Sequence, residues 1–255
     1  MKDPEHANSE PGAHDPMLRD AQKASPIRRL VPLAVLIVAI VAVFAFGLDD
    51  YISFDVLRRH RAQLLDFVDR HFILAPLLYI LVYAVVIALS IPGGAVLTIA
   101  GGFLFGALFG AVLVVIGATL GATVVFLIAK TALGDVLRTK AGGRIRRMEE
   151  GFREDAFNYL LFLRLIPIFP FWLVNIVPAF LGVPLRTYVL ATFLGIIPGS
   201  FVYASVGNGV GAVFDTGGTP DLGIIFKPEI ILPIIGLAVL ALLPVAYRKL
   251  KMRQA

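Results

Sequence analysis

Long uncharged stretches alternate with short charged ones along this chain. Leu30 to Leu48, Ile73 to Ala129, Phe201 to Phe214 and Ile230 to Ala246 contain no Asp, Glu, Lys or Arg. A helix of roughly 18 or more such residues is long enough to cross a hydrocarbon core about 30 Å thick. The acidic residues fall only between these stretches, in Asp3 to Asp20, Asp49 to Asp69, Asp135 to Asp155 and Asp215 to Glu229. The pattern predicts an all-α integral membrane protein with several spans.

Flanking charge sets the expected order of segments. Residues 1–29 are polar and proline-containing and are expected to form a disordered cytoplasmic tail. Arg28 and Arg29 then precede a transmembrane anchor at 30–48, too long for a signal-peptide core. In 49–74 an amphipathic, interfacial helix is expected, because Phe54, Leu57, Leu64, Phe67 and Val68 share a face opposite Arg59, Asp66 and Arg70. A core at 75–210, an external loop at 211–229, a transmembrane helix at 230–247 and a basic cytoplasmic tail at 248–255 complete the chain. Arg138, Lys140, Arg144, Arg146, Arg147 and Arg153 make the middle of the core strongly basic, which assigns it to the cytoplasm together with both termini.

Inside the core, helix breakers stand where a plain span would have none. Pro92-Gly93-Gly94 interrupts the longest apolar stretch, and Gly106 follows it. Further on come Pro167, Pro170, Pro178 and Pro184, with Gly182 between the last two and Pro198-Gly199 beyond. Proline removes a backbone donor and clashes with the preceding turn, and broken backbone at membrane depth survives only where protein or a hydrated cavity shields it. Two re-entrant hairpins, at about 92–106 and 164–182, satisfy that condition. Their similar Pro-to-Gly spacing, each followed by a helix with two glycines four residues apart, suggests an inverted repeat with a site at the repeat interface. Glycines at every fourth position, such as Gly102, Gly106 and Gly110 or Gly117 and Gly121, also let helix backbones approach closely in lipid.

The ordered set of these residues resembles the VTT-domain superfamily, also called DedA-like or SNARE-associated Golgi proteins, and within it the late-Golgi vesicle protein (Tvp-like) branch of bacterial membrane proteins. The resemblance covers roughly residues 75–210. In the first half it is carried by Pro92-Gly93, Leu97, Gly101-Gly102, Phe105-Gly106, Gly110, Gly117, Gly121, Phe126 and Lys130. In the second half it is carried by Arg164-Leu165-Ile166-Pro167-Ile168-Phe169-Pro170, Asn175, Gly182, Gly195, Pro198, Tyr203 and Gly207. It implies two facing re-entrant hairpins embraced by spanning helices, lipid handling such as phospholipid scrambling or recycling of undecaprenyl phosphate, and a bacterial inner (plasma) membrane. The chain departs from the DedA pattern in having Ala95 after the first Pro-Gly turn and no second arginine in 165–185.

Three cations have no acidic neighbour in their segments: Lys130, Arg164 and Arg186. An arginine at the centre of a span costs roughly 2.5–3.5 kcal/mol on insertion scales. Arg164 either snorkels to cytoplasmic headgroups or sits in a hydrated vestibule bound to a phosphate. Arg164, Asn175 and Lys130 are the candidate substrate-binding residues, and Lys130 and Arg186 also suit interfacial anchoring. The chain has no cysteine, and its four histidines show no metal-ligand spacing, so neither metal nor cofactor is expected. The pI of about 9.6 reflects positive-inside flanks and not nucleic-acid binding. No nucleophile–base set or phosphate loop points to an enzyme. A transporter or scramblase moving phosphate-bearing lipid headgroups without ATP fits best, with anionic membrane lipids as partners and homo-oligomers permitted. The alternatives are a small oxyanion or ion permease and a membrane assembly or homeostasis factor without transport.

Overall fold

The computed structural model describes residues 26–47, 52–140, 155–166, 169–215 and 220–254. The tail at 1–25, most of the basic segment (141–154) and Pro167 lie outside the described residues. Eleven α-helices are described: α1 (Pro26–Ala45), α2 (Phe54–Arg59), α3 (Arg61–Arg70), α4 (Leu74–Ala88), α5 (Gly94–Phe105), α6 (Ala107–Lys140), α7 (Ala156–Leu165), α8 (Phe171–Phe180), α9 (Leu185–Asn208), α10 (Val210–Asp215) and α11 (Pro228–Gln254). A 3-10 turn at Leu222–Phe226 precedes the last of them.

Among the described residues, two helical stretches are long and apolar enough to cross a bilayer by length and composition, Ala107–Ala132 and Leu185–Asn208. They run side by side as the core pair. Phe126 stacks on Tyr188 with ring centroids 4.2 Å apart, and Ala118 and Gly195 meet at one cavity, so the helices are antiparallel. The shorter apolar helices pack around this pair: α4 against α6, α5 against both, α7 against α9 and α11, and α8 against α6.

One order of elements occurs twice. A short helix, a proline-containing break, a second short helix, a glycine turn and a long helix describe both α4–α5–α6 and α7–α8–α9. The glycine turns are alike in backbone terms. Gly106 has φ 82° and Gly182 has φ 68°, left-handed values that a Cβ disfavours. The window 92–106 therefore holds one helix, α5, bounded by its two breaks, and 164–182 holds the end of α7 and all of α8. Pro198 and Gly199, expected as a break, lie within the continuous helix α9. A spanning helix tolerates proline where neighbouring helices and local adjustments re-satisfy the freed backbone group.

Outside the core, the amphipathic segment behaves as its pattern suggests. Ser53 caps α2, its hydroxyl accepting from the Val56 amide at 3.4 Å. Leu57, Phe54 and Leu64 then pack against Ile99, Ala100, Val210 and Phe214. Thus 54–64 and 210–214, far apart in sequence, meet in one cluster. The expected loop at 211–229 contains most of α10 and the 3-10 turn. Leu77, Leu81 and Val85 on α4, Leu120, Val124 and Leu127 on α6, and Leu190, Leu194, Ile197 and Phe201 on α9 are exposed. So large a belt of outward apolar side chains suits lipid and not water.

Candidate functional site

A cavity of about 580 Å³ lies between the two sets of short helices. Its height follows from its walls. Ala118 is near the middle of the apolar part of α6, and Gly195, Gly199 and Ser200 bracket the middle of α9. At the same level stand Pro92, Gly93 and Gly94 from the first break and Arg164 at the end of α7. The first break and the arginine of the second region thus line one cavity.

Arg164 is the only charged residue in the cavity wall among the described residues. Its Nη2 donates to Asn175 Oδ1 at 2.7 Å and to Tyr188 Oη at 2.8 Å. The Tyr188 hydroxyl hydrogen lies within reach of Asn175 Oδ1 at 2.9 Å and of the Ala122 carbonyl at 3.2 Å. Four helices, α6 to α9, are thus tied at one buried polar knot, with Asn175 and Tyr188 both fully buried. The guanidinium carbon also stands 5.4 Å from the centre of the Tyr188 ring. The close seat of this side chain depends on Gly195, where a Cβ would meet Arg164 Cβ at 2.5 Å.

The opposite wall is fastened by hydroxyls. Tyr83 Oη is 3.0 Å from Thr98 Oγ1, which donates to the Gly94 carbonyl at 2.7 Å, and Tyr79 donates to the Leu97 carbonyl at 2.8 Å. These bonds hold α5 against α4. The end of α4 carries Ser90 at φ 52°, the one left-handed residue other than glycine among those described. Its amide bonds Ile87 O and that of Ile91 bonds Val86 O, the paired closure of a helix end that usually falls to glycine.

Of the three predicted substrate-binding residues, Arg164 and Asn175 come together and Lys130 does not join them. Lys130 Nζ donates to the Val183 carbonyl at 3.3 Å and lies 5.5 Å from the centre of the Phe126 ring, outside the cavity wall. Among the predicted breaks, Pro92, Gly93, Gly94 and Gly199 line the cavity, Pro170 starts α8, and Gly106 and Gly182 form the turns described above. Tyr188 and Ser200 were missed. A tyrosine three residues into a spanning helix carries the sequence signal of an interfacial belt residue, and a serine beside Pro198-Gly199 carries none.

The family model described as VTT domain matches residues 91–209. A transmembrane protein 41 homolog of Caenorhabditis elegans is 33% identical over 173 residues, covering 67% of this chain and 68% of that protein. This chain belongs to the VTT-domain family. A transmembrane protein 41 homolog of Dictyostelium discoideum is 30% identical over 171 residues, 66% of the chain and 49% of that protein. Transmembrane protein 41B of Homo sapiens is 31% identical over 190 residues, 73% of the chain and 62% of that protein. The match thus spans between about half and two thirds of these relatives' lengths. All three are eukaryotic and carry the transmembrane protein 41 name, not that of the late-Golgi vesicle branch. No solved structure matches. As a VTT-domain protein the chain is a membrane protein, and the matched domain runs from the first break to the end of α9. It contains most of the cavity wall, while Tyr83, Ile87, Ser90 and Ile225 come from flanking segments.

Proposed function

We propose that this VTT-domain protein moves phosphate-bearing lipid headgroups across a bilayer without ATP, as a lipid transporter or scramblase. The carrying observation is the cavity at mid-height of two spanning helices, with a single cationic side chain among the described residues of an apolar and hydroxyl-bearing wall. A headgroup crossing there meets a guanidinium suited to phosphate while its acyl chains stay in lipid. In this reading α4–α5 and α7–α8 are two re-entrant pairs related by an inverted repeat. Two features support that: helices of 10 to 15 residues reach only about 15–23 Å, short of a hydrocarbon core, and the element order repeats. The basic segments face the cytoplasm, in a bacterial plasma membrane.

Purified full-length protein in liposomes tests the proposal. With a fluorescent-headgroup lipid and an impermeant quencher, the protein is expected to expose the inner-leaflet pool without nucleotide, and Arg164→Ala to slow this. Quenching no faster than in empty vesicles, with or without a pH gradient, would overturn it.

A further inference from the structure

A second feature of the cavity lies across from Arg164. Helix α5 has 12 residues and begins at the cavity, its N-terminal residues Gly93, Gly94 and Ala95 all standing in the wall. The first i to i−4 bond of this helix is from Leu97 N to Gly93 O, and Gly93 offers no side-chain cap. The amides of Gly94, Ala95 and Val96 therefore have no acceptor among the described residues, as the first turn of an uncapped helix leaves them. Such a turn carries partial positive charge and presents donors to an anion.

Ser200 supplies an independent observation. The residue is 8% exposed and stands in the cavity wall, and its hydroxyl makes no hydrogen bond among the described residues. A hydroxyl on a buried residue that lines an apolar-walled cavity without a protein partner costs free energy unless something there accepts or donates. By contrast the hydroxyls of Tyr83, Thr98 and Tyr203 in the same wall are bonded to the protein.

We infer that the N-terminal turn of α5 and the Ser200 hydroxyl form a phosphoryl-oxyanion subsite that faces Arg164 across the cavity. Its donors are main-chain amides and a neutral hydroxyl, so it holds the anion without a second cation. Among the described residues no carboxylate lies in the wall to compete. The subsite deepens the transport role and rests on it only for the lipid form of the ligand; a free phosphate ion presents the same oxygens.

The natural chain has no cysteine, so one introduced thiol reports on the cavity. Gly199 lines the wall, and a Cβ there would meet only Ile225 Cδ1 at 3.7 Å, an ordinary contact. The rate of maleimide modification of full-length Gly199→Cys in detergent is measured with inorganic phosphate, with short-chain phosphatidic acid, and with short-chain diacylglycerol and chloride as controls. Both phosphate probes, and neither control, are expected to slow modification. Protection by phosphatidic acid alone supports the subsite with a lipid headgroup as ligand, and protection by inorganic phosphate alone supports it with a free anion. Adding Ser200→Ala is expected to raise the half-protecting concentration about tenfold, the loss of one charge-assisted hydrogen bond. Adding Ala95→Asp seats a carboxylate on the helix turn, where it is compatible with the dipole, and is expected to abolish protection.

Equal modification rates with and without both phosphate probes overturn the subsite. So does protection undiminished in both second variants. If Ala95→Asp fails to elute as a folded species, Ser200→Ala alone decides. Protection without headgroup flipping in liposomes defeats the transport role and leaves the subsite standing, and flipping without protection does the reverse.

Discussion

Tyr188 is the residue on which the polar knot turns, because one hydroxyl serves Arg164, Asn175 and the Ala122 carbonyl. Tyr188→Phe keeps the stack on Phe126 and removes only the oxygen. Interhelical hydrogen bonds in membranes are worth about 0.6–2 kcal/mol, so thermal unfolding in detergent should show a loss of that order. Headgroup flipping should fall further than the lost stability explains. Ser90 gives the opposite sign. Left-handed backbone costs a residue with a Cβ roughly 1–2 kcal/mol, and Ser90→Gly relieves this at φ 52°. A raised melting temperature is the expected result. Lys130 is bonded to Val183 and lies outside the cavity wall, so Lys130→Met should leave the flipping rate nearly unchanged. Loss of transport as severe as in Arg164→Ala would contradict that placement. Arg164 was legible in the sequence because an isolated cation in an apolar segment is conspicuous. Which wall Lys130 faces depends on the rotation of α6 against α8 and α9, and no charge pattern encodes that angle.

Among the elements, glycine decides how closely helices meet. A Cβ on Gly102 would run into the Ala204 carbonyl, one on Gly207 into the Ile99 carbonyl, and one on Gly121 into the Ala84 carbonyl. Gly207→Ala must push α5 from α9, and overpacking of this kind costs about 1–3 kcal/mol. A lower melting temperature, with a compensating gain when Ile99 is made smaller excluded by the main-chain nature of the clash, is the result to look for. The spacing of these glycines announced close contacts between helices. It did not announce the partners, since Gly102 and Ala204 sit about a hundred residues apart in sequence and meet only through the fold. The breaks at Pro92-Gly93 and Pro170 were legible because proline ends helices for a local reason. Pro198 was not, because its neighbours, and not its own chemistry, let α9 continue.

For the whole molecule, the packing joins 54–64 to 210–214, two segments far apart in sequence, in one cluster. The apolar stretches forecast the belt of outward apolar side chains. The sequence marked Pro92-Gly93-Gly94 and Arg164 but not the rest of the cavity wall, which gathers α4, α5, α6, α7 and α9. The glycine seams carry one more consequence for this enclosure. Where main chains abut, no rotamer flip can widen the wall there, and widening it takes a shift of entire helices. On the proposed transport role, a thicker or stiffer bilayer that squeezes those helices would set the flipping rate as much as the ligand does.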